Sequence, residues 1–133
     1  MCIRDSGYPV SNIDYTYEHG AAPLATFNPQ KFTRFFLGGA PADVPDRARA
    51  VSPSTYLGGH TPPTLVLQPE RDDFIPAEGN DEVMKEARQA GVDATIVQVP
   101  FAWHGFDATL DSIGGQVRTS ITRNWLEERN LAP

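Results

Sequence analysis

Asp72 and His104 are the residues of this 133-residue chain whose types and spacing best suit chemistry. A carboxylate within reach of an imidazole makes an acid–base pair, and imidazole is the side chain that changes charge near neutral pH. Each of the two follows an apolar run. Residues 64–69, TLVLQP, are nearly continuously apolar, as expected of a parallel strand covered on both faces. Residues 94–100, ATIVQVP, predict a second strand. Between them Pro76 opens a helix where its missing N–H costs nothing, Glu78, Asp81 and Glu82 favour the positive end of the dipole, and Gly91 closes it. Val83, Met84, Ala87 and Ala90 form its apolar stripe. Strands joined through such a helix run parallel with a right-handed crossover, so their carboxyl ends share one edge of the sheet. Neighbouring strands lie about 4.8 Å apart, which lets Asp72 in the first loop reach His104 in the second. That edge is where an open parallel sheet keeps its ligand site.

The other elements are read around this unit. Residues 7–10 are the end of a strand, and residues 12–26, polar and aromatic with Gly20 and Pro23, are a long loop. Asn28 and Pro29 predict an N-cap and first helical position. Phe32, Phe35, Phe36 and Leu37 then form a sticky face suited to a core rather than a lid, and Gly38-Gly39 ends the helix. Residues 40–57 hold three prolines and one helical turn near 47–50. A last helix is capped by Asp111 or Ser112, with Leu110, Ile113, Val117, Ile121, Trp125 and Leu126 at helical spacing, and it ends near Arg129. Gly114-Gly115 weakens its first turns by roughly 1 kcal/mol per glycine, which favours a later start.

Composition narrows the classes. One domain with a real core fits this length, and 40% hydrophobic with 21% charged residues is globular. A formal charge of -6 and a pI near 4.9 supply no basic face for nucleic acid. No run is long and apolar enough to span a bilayer. The single Cys2 excludes an internal disulfide and a cysteine-based metal site, and leaves the compartment open. His104 and Asp107, at i and i+3, have no third ligand at useful spacing, so a metal is not expected. Asp107 follows the histidine too closely to be its acid. Glu70 and Arg71 are read as a solvated surface pair, and Trp103 and Phe106 as packing for the histidine loop, with the lining of an acyl pocket as the alternative for either. His19 and His60 receive no role.

Several motifs together resemble the C-terminal part of an α/β-hydrolase, in the esterase/lipase branch that includes feruloyl-esterase-like and acetyl-esterase-like enzymes. They are YPV at residues 8–10, SP at 52–53 with Tyr56, PPTLVL at 62–67, DDFIP at 72–76 and HGF at 104–106. The resemblance implies an α/β fold comprising the last parallel strands of the sheet with flanking helices, an incomplete domain. Residues 7–133 would be part of one domain: a strand end with a cap-like excursion over 7–63, then strand, Asp loop, helix, strand, His loop and helix over 64–133. Residues 1–6, MCIRDS, resemble a translated sequencing adapter and are set apart as a non-native leader.

Family chemistry is acyl transfer from an ester to water, without cofactor or metal. By the family register, Asp72 rather than Asp73 corresponds to the triad acid and His104 to the base. The nucleophile belongs upstream of the acid, yet no G-x-S-x-G occurs in the chain. The parent would therefore hydrolyse a small carboxylic ester, and this chain alone would be inactive. Gln68-Pro69 replaces the usual His-Gly after the strand. A serine peptidase or dienelactone-hydrolase relative shares the same layout. A non-catalytic binding or oligomerisation protein using the aromatic segment 8–37 is the reading from another class. An exposed sheet edge predicts self-association of the isolated chain.

Overall fold

A computed structural model describes residues 4–21 and 28–130. Three parallel strands form one sheet in the order β1-β2-β3: β1 Arg4–Gly7, β2 Thr64–Arg71 and β3 Ala94–Trp103. The central strand is buried on both faces because its residues alternate between two helical layers. Leu65 and Leu67 pack with Trp125, while Val66 packs with Met84, Ala87, Val92 and Ala94. Each fully buried leucine contributes roughly 1.5–3 kcal/mol relative to exposure, so the continuous apolar run is the anchor of the fold.

Both expected strands run longer than the prolines suggested. β2 pairs with β3 in regular register from Thr64 opposite Ala94 to Pro69 opposite Val99, and then shifts so that Arg71 faces Trp103. Proline cannot donate to a ladder and is tolerated where a bulge interrupts it. Pro100 lies inside this irregular stretch, next to Phe101 at φ 59°. The edge strand falls earlier than expected. It ends at Gly7 rather than running on through residues 8–10, and residues 4–6 of the segment set apart as a leader supply the rest of β1. Backbone pairing, which is blind to side-chain type, places it there.

Five α-helices accompany the sheet among the described residues, with two short 3-10 turns at Pro41–Asp43 and Pro53–Tyr56: α1 Ile13–His19, α2 Pro29–Leu37, α3 Pro45–Val51, α4 Ala77–Gln89 and α5 Ile113–Glu128. The long loop expected over 12–26 is corrected by α1; residues 22–27 lie outside the described residues. Asn12 caps α1 by accepting from Tyr15 N at 3.1 Å, and Ile13 joins Leu37 and Ala48 in a separate apolar cluster. Burial against distant residues, not local pattern, fixes this helix. α2 has the expected caps, Asn28 accepting from Lys31 N and Gly38 at φ 80°, but not the expected face. Pro29, Thr33 and Leu37 are buried, while Phe35 is 90% exposed and Phe36 is also exposed.

On α4, Val83, Met84 and Ala87 are buried as expected and Ala90 is not. α5 is capped by Ser112, which accepts from Gly115 N, and begins at Ile113 rather than later. Its glycines permit close approach. A Cβ at Gly114 would lie 2.0 Å from the Phe106 carbonyl oxygen, and one at Gly115 would lie 2.4 Å from those of Thr109 and Leu110. The apolar stripe holds only in the later turns, around Ile121, Trp125 and Leu126. Leu110 and Ile113, the latter 84% exposed, contribute nothing to the core.

Candidate functional site

The carboxyl ends of β2 and β3 carry the two residues singled out above. Past β2 the chain turns at Asp72, whose Oδ1 accepts from the backbone N–H groups of Phe74 (3.1 Å) and Ile75 (2.8 Å). Aspartate favours such turns because its carboxylate replaces a backbone acceptor. Asp72's side chain is 0% exposed. Just past β3, His104 is followed by Gly105 at φ 78°, a left-handed conformation that suits glycine. The turn closes when Phe106 N donates to Trp103 O at 3.0 Å.

These two turns bring the residues together. His104 Nδ1 lies 2.9 Å from Asp72 Oδ2 and 3.1 Å from Oδ1. An ionised carboxylate only accepts, so Nδ1 carries the proton, and Nε2 is the nitrogen that Asp72 does not hold. The imidazole remains 40% exposed. Its ring lies between aromatics, with Tyr8 at 4.7 Å and Phe74 at 5.1 Å between ring centroids. The arrangement orients the imidazole, and a neutral ring held at Nδ1–H has its basic lone pair on Nε2. Asp73, the adjacent acid, is exposed.

A search of solved structures finds this arrangement of elements in esterases. The native thermophilic esterase from the planctomycete Thermogutta terrifontis matches 98% of this chain and 43% of its own length at TM-score 0.69 and 20% identity. The same enzyme phosphonylated by sarin matches 98% of this chain and 45% of its own, at TM-score 0.73 and 20% identity. Carboxyl esterase 2 from the fungus Tuber melanosporum matches 90% and 41%, at TM-score 0.63 and 18% identity. The fold is part of an α/β-hydrolase fold. The chain spans less than half the length of these structures. No family model and no curated protein matches the sequence.

Within this partial hydrolase fold, several side chains do what sequence reasoning missed. Gln68, read only as a departure after the strand, is fully buried. Its Nε2 donates to the carbonyls of Pro69 (3.3 Å) and Ile75 (3.2 Å), and its Oε1 accepts from Asn80 Nδ2 at 2.7 Å. One carboxamide thus clamps both ends of the Asp72 turn to α4. The available signal was an amide inside an apolar run, since a buried polar group requires partners.

Glu70 and Arg71 do not pair with each other. Glu70 Oε2 accepts from Phe101 N at 2.7 Å, and the Arg71 guanidinium stacks over Phe101 and Trp103. The irregular end of β3, invisible in a strand pattern, gives each its own partner. Trp103 is 57% exposed rather than packed, whereas Phe106 does pack, edge-on to Tyr8. Asp107 has partners of its own. Buried, it accepts from the Tyr8 hydroxyl at 2.6 Å and from Arg118 at 2.9 Å. Burial and the bond to Asp107 push the Tyr8 phenol up to about 12. His19 stacks on Tyr15, and His60 is exposed. No group of three or more potential metal ligands occurs among the described residues, and none of their helices is long and apolar enough to cross a membrane.

Proposed function

We propose that this chain supplies the acid and base of a Ser-His-Asp triad in a carboxylic-ester hydrolase, with Asp72 as acid and His104 as base. The nucleophile and oxyanion donors would come from sequence outside these 133 residues. The observation that carries this reading is the 2.9 Å contact between His104 Nδ1 and the buried Asp72 carboxylate, made from the ends of two adjacent parallel strands. In this scheme Asp72 fixes the Nδ1–H tautomer and stabilises the imidazolium, while Nε2 accepts the proton of an attacking serine. The imidazolium gives that proton to the departing alcohol as the ester C–O bond breaks, and the neutral His104 then takes a proton from the water that attacks the acyl-enzyme and returns it to the serine oxygen. The esterase names of the structural neighbours support an ester as substrate. That the Thermogutta enzyme is also described with propionate and with butyrate bound supports a short acyl group.

The test joins this chain to an upstream half bearing a G-x-S-x-G segment and follows hydrolysis of a short p-nitrophenyl ester. The 133-residue chain alone should be inactive, and the joined protein active. Asp72→Asn should lower kcat roughly ten-thousand-fold, and His104→Ala should abolish turnover. Activity that is indifferent to His104→Ala refutes the assignment. Preference for peptide or lactone substrates would move the chain to a serine peptidase or dienelactone hydrolase with the same acid and base.

A further inference from the structure

A second polar cluster adjoins His104 without taking part in its bond to Asp72. It ties together three elements: Tyr8, the first residue past β1; Asp107, in the histidine loop; and Arg118, on α5. The two oxygens of Asp107 are divided between the Tyr8 hydroxyl at 2.6 Å and Arg118 at 2.9 Å, and its side chain is 2% exposed. Tyr8 is fixed at its other end as well, since its backbone N–H donates to Leu67 O at 2.7 Å. Between these anchors its φ is +38°, a conformation that bulky residues rarely adopt unless their surroundings impose it. The ring held in this way lies against the imidazole of His104.

We propose that Tyr8, backed by Asp107 and Arg118, is a positioning residue for His104, and this inference rests on His104 being the base. A half-exposed imidazole held only at Nδ1 can still pivot about that bond. Tyr8 at 4.7 Å and Phe74 at 5.1 Å limit the pivot, and Tyr8 can do so only while its hydroxyl is anchored. Tyr8 and Arg118 take one oxygen each of Asp107, so the cluster is complete in itself and leaves the Asp72–His104 bond as a separate contact.

The experiment follows the His104 ring by NMR in the full 133-residue chain, with His19 and His60 as internal references. It reads ring order and the exchange rate of the Nδ1 proton. Tyr8→Phe, which removes the hydroxyl and keeps the ring, should speed that exchange roughly tenfold, as expected on freeing one charge-assisted hydrogen bond. Trp125→Phe, which perturbs the core on the α5 face, should lower the melting midpoint and leave the His104 signal unchanged. If Tyr8→Phe folds with unaltered exchange and ring order, the proposal is overturned. If Tyr8→Phe does not fold, Arg118→Gln decides in its place, faster exchange supporting the proposal and no change overturning it. No turnover is required. An inactive joined esterase would therefore remove the base reading without touching the measured restraint of the ring by Tyr8, and an unaltered His104 signal would remove the role of Tyr8 while leaving the Asp72–His104 pair standing.

Discussion

Asp72 and Asp73 are adjacent acids in one turn, and their surroundings give them different chemistry. Two backbone N–H groups and the His104 imidazole converge on Asp72, while Asp73 offers its carbonyl to Ala21 N at 2.7 Å and leaves its side chain to solvent. Asp107 is held apart from both by Tyr8 and Arg118. The state of Tyr8 has a consequence for stability. Its phenol ionises at about 12 in the fold against an ordinary value of 10.0, raised first by burial and then by its hydrogen bond to Asp107 and that carboxylate's charge. Asp72 adds to the rise and Arg118 opposes it. A raised value means that the fold favours the neutral phenol, so this contribution is whole below pH 10 and is lost as the pH climbs toward 12. Denaturant unfolding across that window should show a fall in stability that is shallower in Tyr8→Phe. An identical slope in the two proteins would show that the hydroxyl carries no linkage.

Among the elements, the junction of the histidine loop with α5 is the tightest. Replacing glycine by alanine inside a helix ordinarily stabilises it by about 1 kcal/mol. Gly114→Ala should do the opposite, because its Cβ would lie 2.0 Å from the carbonyl oxygen of Phe106, two residues past His104. The expected result is a lower thermal midpoint and a displaced His104 resonance; a raised midpoint would show that the loop yields without cost. The Asp72 turn has its own fastening in the Gln68–Asn80 amide pair, which connects β2, the turn and α4. Asp72 and His104 are therefore each set by a strand end and by a buried polar contact to a neighbouring element.

At the scale of the molecule, the described residues form a sheet of three strands whose two outer edges are unpaired among them. β1 presents an open ladder, and beside it an apolar cavity of about 160 Å³ opens among Pro9, Pro53, Leu57, Val66, Val83 and Met84. On α2, Phe35 and Phe36 are exposed. Unpaired edges and exposed apolar groups favour association. The isolated chain should shift to larger species with rising concentration in analytical ultracentrifugation. A concentration-independent monomer with a sharp two-state melt would contradict this.

Local sequence determined the central unit: an apolar run that must be covered on both faces, a helix with its caps, a second run, and polar residues past each. Parallel strands leave no other edge for Asp72 and His104, so their meeting follows from chain order and crossover geometry. The caps at Asn28, Gly38 and Ser112 were legible for the same reason, because they satisfy backbone groups a few residues away. Contacts between distant residues were not legible. Helix α1 exists because Ile13 meets Leu37 and Ala48, Gln68 becomes a clamp because Asn80 and Ile75 O reach it, and Tyr8 meets Asp107 across 99 positions. Residue pattern encodes which face of an element is buried. Only the tertiary structure decides which polar groups end beside one another, because burial then makes each of them require a partner.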